Sequence, residues 1–253
     1  MSGHSKWSTI KHKKAAKDAK RGKIFTQLAR EVTLAAREGG GDPDMNFTLR
    51  LAIDRAQAQN MPKDNIERAI KRGTGESKEG ATLEQIGYEG YAPHGIALMI
   101  ETITDNRNRT VAELRHVLTR SNGSLGEGGS VAWQFTRIAY FMFPSEGQDT
   151  DAIFELAVEA GADDVVFDDD FIEITGPVES FKAISDALKT AGITPDESQL
   201  RMSPNQEIDL DEDQALQVLK VIEDLEELDD VKTVSSNLNM TDEVLARLEA
   251  ETA

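Results

Sequence analysis

The chain has 253 residues, no cysteine, 39% hydrophobic and 29% charged residues, and a formal net charge of −18. Without cysteine there are no disulfides, thiolate metal sites or cysteine nucleophiles, and the composition is that of a folded protein with a well-charged surface. No apolar run approaches the ~20 residues of a membrane-spanning helix, and the length suits two or three domains.

The charge is divided unevenly. Residues 1–72 hold 16 Lys+Arg against 8 Asp+Glu, a balance of +8, and the remainder holds 12 against 38, a balance of −26. Charges more than about 8 Å apart are largely screened at physiological ionic strength, so a local basic patch binds phosphate despite a distant acidic body. Within the first 24 residues lie Lys6, Lys11, Lys13, Lys14, Lys17, Lys20, Arg21 and Lys23, opposed only by Asp18, with His4, Trp7 and His12 interleaved. Residues 10–20 favour helix, and Lys13, Lys17 and Lys20 share one face at i, i+4 and i+7, opposite Ala15, Ala16 and Ala19. This arm reads as a phosphate-binding segment; a solvated tail that aids solubility is the competing reading.

Ile24, Leu28, Val32 and Ala35 mark a helix through Glu38, terminated by Gly39, Gly40 and Gly41. A second apolar stripe of Phe47, Leu49, Ile53 and Ala56 follows. Pro62 opens a third helix, with Ile66, Ala69 and Ile70 on its apolar face. Arg50, Arg55, Lys63, Arg68, Lys71 and Arg72 lie between these stripes and extend the basic surface. The polar, glycine-rich stretch 73–80 reads as a linker.

Beyond it, residues 85–91 and 96–104 form two strands joined by the turn residues Ala92, Pro93, His94 and Gly95. A helix follows with Val111, Leu114, Val117 and Leu118 on its buried side. Gly123 to Gly129 reads as a flexible loop, and the apolar stretch 131–135 as its anchor to a core. Residues 138–203 contain strand, helix, strand, strand, helix, strand, the split βαβ order of ferredoxin-like domains. Residues 206–236 supply a strand, a helix bearing Leu219, Ile222 and Leu225, and a strand near 231–234. That piece is too small for its own core and should complete the sheet begun at residues 85–104. A last helix starts near Thr241. The expected fold class is α+β, an N-terminal helical domain followed by two α+β domains, one ferredoxin-like and inserted in the other. The domains are 1–75, 81–137 with 206–238, and 138–205, with a C-terminal helix over 239–253.

Enzyme chemistry is hard to assemble from these residues. His4, His12, His94 and His116 do not stand in the spacing of a helical zinc site, and there is no nucleophile elbow. The loop 123–129 lacks the Lys-Ser/Thr ending of a P-loop. Asp168, Asp169 and Asp170 lie between two strands and read as a solvated turn, since three consecutive side chains do not converge on one ion. The expectation is a non-enzyme with no cofactor, metal or small-molecule substrate. Arg107 and Arg109, with Asn106 and Asn108, sit at a helix N-terminus, where backbone N–H groups already favour anions; an ordinary cap with exposed arginines is the alternative.

The stretches MSGHSKWSTIKHKKAAKDAKRGKIF (1–25), GGGDP (39–43), NMPKDNIERAIKRGTG (60–75), YEGY (88–91), TDNRNRTVAE (104–113) and GSVAW (129–133) resemble the YebC family over essentially the whole chain. The resemblance implies a helical domain and two α+β domains around a cleft. It also implies that the basic start is the mature N-terminus. Members of that family are described as probable transcriptional regulators that bind DNA; others, mitochondrial relatives among them, act as ribosome-associated translation factors that assist synthesis of proline runs. Where the family commonly has Lys-Gly after the position of Phe135, this chain has Arg137 and Ile138. The expected partner is nucleic acid, DNA or ribosomal RNA, and with it the ribosome, in the cytoplasm and away from membranes. The expected contacts are the arm residues His4 to Lys23 named above with Arg68, Lys71, Arg72, Arg107 and Arg109.

Overall fold

The computed structural model describes Trp7, residues 18–77 and residues 83–252. These residues form two compact units. One runs to Ala132 and resumes at Asp211–Ser236; the other is Trp133–Leu210 and resumes at Asn237.

The first unit opens with three helices, α1 (Asp18–Gly39), α2 (Phe47–Ala58) and α3 (Lys63–Gly73). Their shared core is made by Leu28, Val32, Leu49, Ala56, Met61 and Ile66, with alanines between them that let the backbones approach. α1 runs through Gly22, whose helical cost of about 1 kcal/mol is small beside the packing of the turns that follow. Helix packing also absorbs the first residue of the expected linker. A Cβ on Gly73 would lie 2.3 Å from the carbonyl oxygen of Thr33 and 2.7 Å from the Cβ of Ala36. Gly73→Ala is therefore expected to destabilise the protein by about 2–3 kcal/mol, through forced separation of α3 from α1; a shift under ~0.5 kcal/mol in urea denaturation would show that the two backbones do not touch as described. The glycine run ends α1 as expected. Asn46 secures it: its amide donates to the carbonyls of Ala35 (2.7 Å) and Gly40 (2.8 Å), and its Oδ1 accepts from the N–H of Leu49 to cap α2.

Next come β1 (Glu84–Tyr91) and β2 (Ala97–Thr104), antiparallel with Tyr91 opposite Ala97, then α4 (Arg107–Arg120) and β3 (Ser124–Leu125). The turn between β1 and β2 places His94 at φ 63° and Gly95 at φ 79°, and His94 Nε2 lies 3.0 Å from Gln217 Oε1. β2 is central and its apolar run is core: Ile96, Ala97, Leu98 and Ile100 are fully buried. Two details differ from the sequence reading. Thr110, rather than Val111, completes the buried face of α4, because its hydroxyl has partners below it. The loop at Gly123 is also not free. Ser124 and Leu125 pair with Tyr91 and Gly90 as a third strand, a close approach that the lack of a side chain on Gly90 and Gly123 permits: a Cβ on Gly123 would lie 2.4 Å from the carbonyl oxygen of Tyr91.

The second unit holds β4 (Phe135–Pro144), α5 (Thr150–Glu159), β5 (Asp164–Phe167), β6 (Phe171–Pro177), α6 (Phe181–Thr190) and β7 (Glu197–Pro204). Its strand order β5-β6-β4-β7, antiparallel throughout, is that of the ferredoxin-like split βαβ. Phe141, Phe143, Ile172, Ile174 and Ile184 are buried, and the rings of Phe141 and Phe181 stand 4.7 Å apart. The apolar stretch 131–135 anchors the preceding loop through Val131 and Phe135, which are buried, while Trp133 within it is 73% exposed.

The chain then adds α7 (Glu212–Glu226) and β8 (Val231–Ser236) to the first unit, where β8 pairs with β2 to complete the order β3-β1-β2-β8. The ferredoxin-like segment is thus inserted between β3 and α7. The strand expected near residue 206 is reduced to one bridge between Ile208 and Leu238. Ile208 is exposed and Asp211 already caps α7, so there is no apolar face for a longer strand to bury. The C-terminal helix α8 (Asp242–Thr252) seats Val244 and Leu245 in the second unit.

Candidate nucleic-acid interface

Of the proposed arm, His4, Lys6, Lys11, His12, Lys13, Lys14 and Lys17 lie outside the described residues. Trp7 is helical and half-buried. Lys20, Arg21 and Lys23 fall in the first turns of α1. The helix dipole disfavours cations there and favours anions, so these residues are not placed to stabilise α1.

Arg68, Lys71 and Arg72 are exposed along α3. Arg68 is held by the Asn65 side chain and the Asp64 carbonyl, whereas no ion pair engages Lys71 or Arg72 among the described residues. Of the other basic residues expected on this surface, Arg50 donates to the carbonyls of Pro43 and Asp44 and Arg55 pairs with Glu31 at 2.8 Å, while the exposed Lys63 lies 3.8 Å from Glu67.

Arg107 and Arg109 are also committed. Arg107 pairs with Glu84, and Arg109 with Asp105 and Asp230, both at 2.8 Å. Asn106 caps α4 by accepting from the N–H of Arg109. The arrangement at this helix start is thus a cap with arginines bound to carboxylates.

Asp230, which the sequence reading passed over, organises the neighbourhood. It is 2% exposed and accepts from Arg30 on α1, Arg109 and Thr110 on α4, and Thr104 on β2, each at 2.8–2.9 Å. Burial pushes its carboxyl up, but the hydrogen bonds from Arg109, Thr110 and Thr104 and the charge of Arg30 outweigh burial and hold it below the ordinary range. Beside it, Gln27 donates to the carbonyl of Val231 at 2.7 Å and Arg30 to that of Asp229. α1 is thereby fixed to the sheet, and its N-terminal turns take a defined direction.

Glu89 was missed as well. Its carboxylate accepts from the N–H groups of Gly129 (2.6 Å), Val131 (2.7 Å) and Ala132 (2.8 Å), which sets the path of the glycine-rich loop. Burial raises its pKa and these three bonds more than reverse that, leaving it lowered. A carboxylate two residues from a strand end beside a loop rich in unpaired N–H groups was the available signal. Glu89→Gln keeps the shape but turns donors toward donors. It is expected to cost about 1–3 kcal/mol, a penalty that shrinks as pH falls below ~4.3, where the unfolded carboxyl begins to take up its proton; equal stability of parent and variant at pH 7 would refute this role.

Among the described residues no cluster of three or more His, Asp or Glu is arranged to hold a metal ion, and no helix is long and apolar enough to cross a membrane.

Family models match almost the entire chain, the TACO1/YebC protein N-terminal domain over residues 5–76 and the TACO1/YebC second and third domain over residues 83–238. The chain belongs to the TACO1/YebC family. A probable transcriptional regulatory protein of Acidithiobacillus ferrooxidans is 53% identical over 250 residues, 99% of each chain. Another, from Chlorobaculum tepidum, is 51% identical over 252 residues, 99% of this chain and all of that one. The crystal structure of a conserved hypothetical protein, Aq1575 of Aquifex aeolicus, superposes with a TM-score of 0.83 at 41% identity, covering 90% of this chain and 94% of that chain. TACO1/YebC relatives thus share both the sequence and the helical-plus-two-sheet fold described above, and the curated ones carry a regulator's name rather than an enzyme's.

Proposed function

We propose that the chain is a nucleic-acid-binding regulator of gene expression that meets its target through the basic arm and the helices behind it. The observation that carries this reading is the run of Lys20, Arg21 and Lys23 in the first turns of α1, a helix whose middle turns are tied to the sheet through Gln27 and Arg30. Cations in the first turn oppose the helix dipole, so helix stability does not account for Lys20 and Arg21 there. Lys6, Lys11, Lys13, Lys14 and Lys17 would extend the same phosphate-contacting surface away from the fold, with His4 and His12 adding donors and Trp7 a stacking ring. Lys71 and Arg72, exposed on α3, would continue it. Arg107 and Arg109 would contribute only through donors left over from their carboxylates. The working division is a helical domain over 1–75, a discontinuous domain over 81–137 and 206–238, an inserted domain over 138–205 and a closing helix over 239–253. The name borne by the curated relatives supports a role in transcription, and we place that role in the cytoplasm and without catalysis.

A ribosome-associated translation factor is the second reading. Lysines with an interleaved tryptophan suit phosphate and stacking contacts, which RNA binders use, more than the base-edge readout a promoter requires. Crosslinking the protein in cells and sequencing both the DNA and the RNA recovered separates the two. Discrete promoter DNA supports transcriptional control; ribosomal RNA enriched at one position supports the translational reading; recovery of neither at levels above an unrelated acidic protein refutes both.

A further inference from the structure

A stripe of cations on α4 lies outside the surface considered so far. α4 buries Thr110, Leu114, Val117 and Leu118 and presents Ala112, Arg115, His116, Thr119 and Arg120 on its other side, where they line a shallow, open groove. Beyond residue 72 the chain has only 12 Lys+Arg against 38 Asp+Glu, yet four of those twelve are the arginines of this 14-residue helix, accompanied by one acid, Glu113. Composition does not produce that concentration, and packing does not use all of it. Arg107 and Arg109 are bound to Glu84, Asp105 and Asp230, whereas Arg115 and His116 have no hydrogen bond or ion pair among the described residues. Arg120 reaches Asp224 at 2.9 Å, but Lys220 sits on the same carboxylate at 2.8 Å, so one negative charge faces two positive ones.

We propose that this face of α4 is a second contact for the phosphodiester backbone of a nucleic acid, with Arg115 and Arg120 each meeting a phosphate and His116 and Thr119 donating beside them. The proposal rests on the nucleic-acid reading above and adds a site remote in sequence from the arm. Every permanent cation on the helix is arginine, whose planar fork matches a phosphate through two parallel bonds, and none is lysine, which would serve a diffuse acidic protein equally well. Arg115 and Thr119, and likewise His116 and Arg120, stand one turn apart at i, i+4, about 6 Å along the axis, on the order of the distance between neighbouring phosphates in one strand.

The test is fluorescence anisotropy of the full chain with a single-stranded RNA, an RNA hairpin, a DNA duplex and polyglutamate, across salt from about 50 to 200 mM. The double variant Arg115→Ala/His116→Ala changes exposed helix positions to the best helix former and should keep the parent's thermal midpoint. For the nucleic acid bound most tightly, its affinity should fall about tenfold and its slope of log affinity against log salt should become shallower by about 1. Lys189→Ala, an exposed charge removed from α6, should leave both unchanged. Parent-like affinity and slope in the α4 variant on every nucleic acid, with binding lost in Lys13→Ala/Lys17→Ala/Lys20→Ala, would overturn the α4 site and leave the arm reading standing. Loss confined to polyglutamate would overturn it in favour of an acidic protein partner, and a parent that binds none of the nucleic acids would remove both readings.

Discussion

Replacing Asp230 by Ala is expected to lower folding stability by about 3–5 kcal/mol, the cost of leaving partners of a buried charge without their counter-ion. The carboxylate, 2% exposed, gathers Arg30, Arg109, Thr104 and Thr110 from α1, α4 and β2. Its removal takes an acceptor from two guanidinium groups and two hydroxyls and weakens the attachment of α1 to the sheet, leaving the bonds of Gln27 and Arg30 to the carbonyls of Val231 and Asp229. Asp230→Asn should cost less, because the amide oxygen still accepts one of these bonds. The same network sets a pH dependence. A carboxyl whose native pKa is depressed contributes its full stability above the unfolded value near ~3.9 and loses it as pH falls through the lower native value. The difference in urea-denaturation free energy between parent and Asp230→Ala should therefore be widest near neutral pH and narrow below pH ~4. A loss under ~1 kcal/mol at pH 7 would mean that the network is solvated and carries little of the fold.

Raising salt from about 50 to 200 mM is expected to weaken nucleic-acid binding by roughly 10³, if about six phosphates are neutralised. Counterion release produces that steepness, and the acidic remainder of the chain, 12 basic against 38 acidic residues, adds no favourable contact that salt would spare. In Lys13→Ala/Lys17→Ala/Lys20→Ala the slope should fall by about 3, one for each lost contact. Stability should hold or rise slightly, because Lys20 lies in the first turn of α1, where the dipole opposes a cation. An unchanged slope and affinity in that variant would sink the arm as the binding element and turn attention to α3 and α4.

Periodicity located nearly every element. The stripes at Leu28 and Val32, at Leu49 and Ala56, and at Ile66 and Ala69 are helical, and the β-branched run at residues 96–104 is the sheet centre, because apolar spacing records which face of an element must leave water. The same reasoning misplaced residues whose neighbours are distant in the chain. Val111 looked buried by spacing, but Thr110 is the one whose hydroxyl meets Thr104 and Asp230. Within the apolar stretch 131–135 spacing did not tell which residues go inside: Val131 and Phe135 are buried and Trp133 is exposed.

The sequence by itself determined that the chain is α+β, that a basic start precedes an acidic body, and that the ferredoxin-like segment interrupts another sheet, because composition, charge order and local periodicity are properties of the string. Tertiary structure alone decided which cations are committed and which remain available. Arg55, Arg107 and Arg109 are engaged by Glu31, Glu84 and Asp230, two of them more than 20 residues away and one more than 100, while Lys71, Arg72, Arg115 and His116 meet no carboxylate among the described residues. An ion pair depends on a few ångströms between side chains, and that separation is set by the folded path of the backbone rather than by the order of its residues.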